Sequence, residues 1–136
     1  MSRILAIDYG RKRVGLAVTD PTQVIANGLD TVPAHDIIPY LRSFFQDEEI
    51  EKIVIGYPVQ MNNKPSESIR YIDPFIKRLH KEFPEYPIEK VDERFTSNLA
   101  FQAMIDGGVK KKDRQNKALV DKVSAVIILQ SYLDMI

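Results

Sequence analysis

The sequence predicts a mixed α/β domain whose sheet carries helices on both faces. Short apolar runs rich in β-branched residues, such as Ile4-Leu5-Ala6-Ile7 and Ile53-Val54-Ile55, are bounded by polar and turn-forming residues, the pattern of buried strands. Longer segments between them repeat apolar residues at helical spacing. The first two strand candidates lie a few residues apart, whereas the later ones are separated by helices, so a hairpin opens the chain and α/β alternation follows.

Taken in order, Ile4 to Ile7 form the first strand, and Asp8-Tyr9-Gly10 breaks it. Val14 to Thr19 form a second, and Gly10-Arg11-Lys12-Arg13 is short enough to require an antiparallel hairpin. Val24 to Val32 supply a third strand, interrupted at Asn27-Gly28. Residues 35 to 48 read as a helix through Ile37, Ile38, Leu41, Phe44 and Phe45. A strand at Ile53 to Ile55 ends at Gly56-Tyr57-Pro58, and Val59 to Ser66 form a loop. A helix over 67 to 82 has Ile69, Ile72, Phe75, Ile76 and Leu79 on one side, and Pro74 predicts a kink or a boundary within it. Ile88 to Val91 form the last strand. Thr96 or Ser97 caps a further helix that Gly107-Gly108 stops. Val109 to Gln115 make a basic loop, and residues 116 to 135 a long closing helix.

A chain of 136 residues, 44% hydrophobic and 28% charged, suits one domain, expected to span 1-136. The absence of Cys excludes disulfides, thiol catalysis and thiolate zinc sites. His35 and His80 are far apart, one at a helix start and one in a charged helix surface, so neither a His-based metal site nor a Ser-His-Asp arrangement is supported. No apolar run approaches membrane-spanning length, and the amino terminus passes straight into strand-like sequence, so the expected location is cytoplasmic with no membrane partner. Basic and acidic residues balance at 19 each, which argues against a non-specific nucleic-acid coat but allows a local basic patch beside carboxylates.

Carboxylates are therefore the chemical resource. Asp8 directly follows a buried strand, at the sheet end where open α/β folds bind ligands; its plainer role is in the Asp8-Tyr9-Gly10 turn. Asp92-Glu93-Arg94 follows another strand in the same way, and parallel strands would bring its end to the same rim. Adjacent residues in an extended chain point to opposite faces, so one of Asp92 and Glu93 faces the site, and the exact strand end decides which. Asp121 lies in the closing helix with Ser124 on its side of the helix, at the border of an apolar surface; pairing with Lys117 or Lys122 is the alternative. Mg²⁺ or Mn²⁺ held by such oxygen ligands can activate water and stabilise a leaving oxygen in phosphoryl transfer. Two basic clusters, Arg11-Lys12-Arg13 and Lys110-Lys111-Lys112 with Arg114 and Lys117, adjoin these elements. Either alone fits a solvated surface; together, beside carboxylates, they favour a phosphate-rich substrate over a sugar. Tyr57 either stacks on a base or closes the sheet edge, and no phosphate-loop or dinucleotide pattern is present.

The chain resembles the YqgF/RuvX family of Holliday-junction-resolvase-like proteins along its whole length. The likeness rests on Ala6-Ile7-Asp8-Tyr9-Gly10-Arg11-Lys12-Arg13-Val14-Gly15 continuing to Asp20, Val54-Ile55-Gly56-Tyr57-Pro58, Asp92-Glu93-Arg94-Phe95-Thr96-Ser97, and Asp121-Lys122-Val123-Ser124-Ala125 through Leu133. The resemblance implies a ribonuclease-H-like fold, a five-stranded mixed sheet of order 3-2-1-4-5, and a bacterial cytoplasmic role at the 5′ end of pre-16S ribosomal RNA. It also implies that Asp8, the Asp92/Glu93 pair and Asp121 are the acids of the site. Two departures stand out: Gly56-Tyr57 occupies the place of a junction resolvase's second acid, and Ser124 that of a second acid in the last helix.

The expected function is metal-dependent cleavage of structured RNA, precursor rRNA or a pre-ribosome. Asp8, Glu93 and Asp121 would hold the metal with Asp92 as the alternate acid. Arg11, Lys12, Arg13, Arg94, Lys110, Lys111, Lys112, Arg114 and Lys117 would bind phosphates. Cleavage of branched DNA as a resolvase, and RNA binding without catalysis in ribosome assembly, are the two competing functions. A monomer or weak homodimer is expected.

Overall fold

The computed structural model describes residues 2–57, 69–92 and 117–136. Within them the strands are β1 (Arg3–Tyr9), β2 (Arg13–Thr19), β3 (Ala26–Pro33), β4 (Ile50–Tyr57) and β5 (Ile88–Asp92), and the helices α1 (Ile37–Asp47), α2 (Ile69–Glu82) and α3 (Lys117–Met135). A short 3-10 turn over Ala34–Asp36 leads into α1. The five strands form one sheet in the order β3-β2-β1-β4-β5. β1 pairs antiparallel with β2 and β2 with β3, whereas β1–β4 and β4–β5 are parallel. The expected mixed sheet and its strand order are both present.

The β1–β2 hairpin is tight. The Gly10 amide donates to the Arg13 carbonyl at 3.0 Å, leaving Arg11 and Lys12 as the turn. A Cβ on Gly10 would stand 2.7 Å from that carbonyl oxygen, so glycine is what lets the strands close. Alternation then divides the sheet into two faces. Leu5, Ile7, Val14, Leu16, Ile53 and Ile55 pack beneath α1 and α2, with Leu41, Ile72, Phe75 and Leu79 from the helices. Ile4, Ala6, Ala17, Val54 and Val91 pack beneath α3, with Ala125, Ile128, Leu129 and Tyr132.

Several element boundaries differ from expectation. Strand β3 begins at Ala26 rather than Val24, because Asp20 gathers the backbone amides of Thr22, Val24 and Ile25 into a turn and leaves Val24 and Ile25 exposed. The fifth strand extends to Asp92 and the fourth from Ile50 to Tyr57. Helix α2 runs through Pro74. There the proline forgoes only its bond to the residue four back, and it sits on the exposed side, where water can serve the freed carbonyl. The expected loop over 59 to 66, the helix following Thr96 or Ser97 and the basic loop over 109 to 115 lie outside the described residues.

Candidate active site

The parallel strands β1, β4 and β5 all end at one rim, where β2 begins. That rim gathers Asp8 and Tyr9, Gly56 and Tyr57, Asp92 and Arg13.

Asp8 continues the series Ile4 and Ala6, both beneath α3, so its side chain springs from the same face. Its cross-strand partner is Gly15. A Cβ on Gly15 would lie 2.0 Å from the Asp121 carbonyl oxygen, and 3.2 Å from the Lys122 nitrogen. The backbone of α3 therefore rests directly on Gly15, beside Asp8. Only a residue without a side chain permits that approach. A second glycine helps: the stem of Lys122 lies where a Gly28 Cβ would project, at 3.0 Å. The β2–β3 register shifts at Leu16/Ala17, so Gly28 and Thr31 both face α3, and the Thr31 hydroxyl donates to the Ala118 carbonyl at 2.6 Å. These features fix the first turns of α3 over the hairpin and set the Asp121 backbone over Gly15, the strand partner of Asp8, from more than a hundred residues away.

The Asp121 carboxylate accepts a hydrogen bond from Arg13 Nε at 2.8 Å, an ion pair with side chains about a third and a quarter exposed (36% and 25%). Arg13 precedes Gly15 by two residues in β2 and so reaches from the same face. Among the described side chains, Arg13 rather than Lys122 is the partner of Asp121. Ser124, one turn beyond Asp121, is buried at 2% exposure.

Asp92 stands apart. It pairs with Tyr57, while Val91 pairs with Gly56 and packs under α3. Asp92 consequently springs from the α1–α2 side, opposite Asp8, and alternation is the physical reason. On that side the Tyr57 hydroxyl donates to Asp73 at 2.9 Å, and Lys90 Nζ lies 4.4 Å from the Tyr57 ring centre. Burial, reinforced by the Asp73 carboxylate, pushes the Tyr57 phenol above its ordinary pKa and keeps it a donor. These contacts tie the end of β4 to α2 and β5.

Of the expected phosphate ligands, Arg11 and Lys12 are exposed at the hairpin tip. The Arg11 guanidinium lies 5.7 Å from the Tyr71 ring centre on α2. Lys117 opens α3. Glu93, Arg94, Lys110, Lys111, Lys112 and Arg114 lie outside the described residues. Among the described residues no group of three or more Asp, Glu or His side chains is arranged to hold a metal, and no helix is long and apolar enough to cross a membrane.

Sequence reasoning missed the Arg13–Asp121 pair and the part played by Gly15. A glycine inside an otherwise apolar strand was the available signal for close backbone approach. Nothing local announces an ion pair between residues so distant in sequence.

Comparison with known proteins places this geometry. The family model described as RuvX, Holliday junction resolvase, matches residues 2–135. A protein of Phocaeicola vulgatus is 62% identical over 134 residues, spanning 98% of this chain and 96% of the relative. One from Bacteroides fragilis is 58% identical over 134 residues (98% and 97%), and one from Flavobacterium psychrophilum 56% over 133 (98% and 97%). All three are named, provisionally, as pre-16S rRNA nucleases. Among solved structures, T. thermophilus RuvC in complex with a Holliday junction substrate superposes with a TM-score of 0.58 over 99% of this chain and 96% of that one. Its 13% identity makes this a likeness of fold. The chain belongs to the RuvX family, within the ribonuclease-H-like superfamily.

Proposed function

We propose that this protein is a divalent-metal-dependent endonuclease that hydrolyses phosphodiester bonds in maturing the 5′ end of pre-16S ribosomal RNA in the cytoplasm. The observation that supports the reading is the Asp121 backbone lying over Gly15, the strand partner of Asp8, beside the exposed Arg11-Lys12 turn. The names of close full-length relatives supply the substrate.

The donor set fits a hard cation. Both acids offer oxygen ligands of the kind Mg²⁺ and Mn²⁺ prefer, and a guanidinium is already drawn onto one of them. Asp8 and Asp121 would hold the ion. Glu93 would complete the set, since Asp92 turns to the other face and the next residue of an extended chain turns back. The bound ion would neutralise phosphate charge and activate the attacking water. Arg13 balances the charge of Asp121 until the ion displaces it. Arg11, Lys12 and Lys117, with Arg94, Lys110, Lys111, Lys112 and Arg114, would hold backbone phosphates and set the register of the RNA.

The test offers the purified protein a precursor RNA carrying the 16S 5′ leader and, separately, a four-way DNA junction, each with Mg²⁺, Mn²⁺ or EDTA. The expected result is metal-dependent cut of the RNA leader at a defined position. Paired symmetric cuts in the junction with intact RNA would transfer the function to junction resolution. RNA binding without cleavage of either substrate would make the protein an assembly factor.

A further inference from the structure

The outer surface of α2 is unusually one-sided. Its inner side buries Ile72, Phe75, Ile76 and Leu79. Outside, Arg70, Lys77, Arg78 and Lys81 are exposed, at spacings of seven, eight and eleven residues from the first, which places them along one side of the helix. Of the two acids of α2, Glu82 pairs with Arg42 at 2.6 Å, and Asp73, which accepts the neutral Tyr57 hydroxyl, sets one carboxylate against the four cations. Among the described residues no ion pair engages any of the four cations. In a chain whose formal net charge is zero, such segregation is informative.

The ridge is also continuous with the candidate site. Tyr9 stacks on Phe75 of α2 with ring centres 4.0 Å apart and so fixes α2 against the sheet face opposite Asp8, at the end of β1 that carries both residues. Arg11, from the hairpin tip, lies over Tyr71, next to Arg70. Basic groups thus run from the hairpin tip at the rim onto the first turn of α2 and down its length, on the sheet side opposite Asp8. From Arg70 to Lys81 the helix rises roughly 16 Å, close to half a turn of a nucleic-acid duplex.

We propose that the exposed ridge of α2 is a second contact surface for the RNA backbone, gripping a duplex that flanks the cleavage point. This rests on the reading of the protein as an RNA nuclease and extends it: the substrate it favours carries a helical segment beyond the cut. Lys77 and Lys81 would meet phosphates without reading sequence, so their contribution is electrostatic and sensitive to salt.

The test measures binding of the full-length protein, in EDTA, to an RNA duplex of about two turns over a series of salt concentrations. The double variant K77Q/K81Q is compared with R3Q/K52Q, which removes the same charge from the far end of the sheet, where Arg3 faces Glu48 and Lys52 donates to Tyr132. The expected result for K77Q/K81Q is binding weakened about tenfold at low salt. The log–log salt dependence should also be shallower by about two, and R3Q/K52Q should retain the wild-type slope. An unchanged slope in K77Q/K81Q, or equal weakening in both variants, would overturn the proposal. Wild-type cleavage of precursor RNA in Mg²⁺ is followed in parallel. A wild type that cleaves while K77Q/K81Q binds normally removes the ridge alone; a wild type that neither binds nor cleaves RNA removes the nuclease reading with it.

Discussion

The two faces of the sheet are built to different ends. Under α1 and α2 the core is made of large side chains, with Tyr9, Phe45, Phe75, Phe83 and Tyr86 in aromatic contact. Under the first half of α3 the contacts are small: Ala6, Ala17 and Ala125, with Gly15 and Gly28 directly beneath the helix. Large side chains fill space and add stability by burial, about 2 kcal/mol for each. Small ones let backbone approach backbone. The polar residues Asp8, Ser124 and Asp121 lie on the second face, so the close approach that sacrifices packing volume sets the Asp121 backbone over Gly15, beside Asp8. One face mainly holds the fold, and the other carries the acids of the proposed chemistry.

That division can be broken from either side. Asp8→Asn should lower metal-dependent cleavage by about a thousandfold while leaving the thermal unfolding midpoint nearly unchanged, measured by single-turnover kinetics beside calorimetry. Leu41→Ala, on the fully buried α1 side, should do the reverse. A loss of about 3 kcal/mol in denaturant unfolding is expected, with cleavage per folded molecule preserved. Gly15→Ala tests stability and chemistry on one face: its methyl group must push α3 away from the hairpin, so stability should fall by about 2 kcal/mol and cleavage should fall with it. Equal activity in folded G15A would show that the close approach is dispensable. The smallest effect belongs to Arg13→Gln. Its ion pair is partly solvated, so stability should change by about 0.5 kcal/mol or less. Removing a cation that competes for Asp121 should nevertheless tighten Mn²⁺ binding by about threefold in titration calorimetry; weaker Mn²⁺ binding would mean that Arg13 organises the carboxylate rather than competing for it.

Much of the first face was legible in the sequence, because periodicity reports burial. Ile37, Ile38 and Leu41, and Ile72, Phe75, Ile76 and Leu79, stand at helical spacing and do form the inner sides of α1 and α2. The short run Ile53-Val54-Ile55 has the buried character of a central strand, and β4 is one. The hairpin followed from the length of its connection. The second face was legible only in outline. Asp8 and Asp121 attract notice as acids beside apolar segments, but their meeting depends on Gly15, whose significance appears only when a helix is laid across it. The choice between Asp92 and Glu93 turns on strand parity, which a one-residue error in the boundary reverses. The helix expected over 67 to 82 holds Pro74 inside it, because α2 is fixed by its packed side more than by propensity.

The account turns on Asp8 and Asp121 sharing one cation. Crystals grown with Mn²⁺ and measured at the manganese absorption edge would locate the ion from its anomalous signal alone. The prediction is a peak bonded to carboxylate oxygens of both residues at roughly 2.2 Å, with Arg13 displaced from Asp121. A peak elsewhere, or one touching a single acid while Arg13 keeps the other, would contradict it.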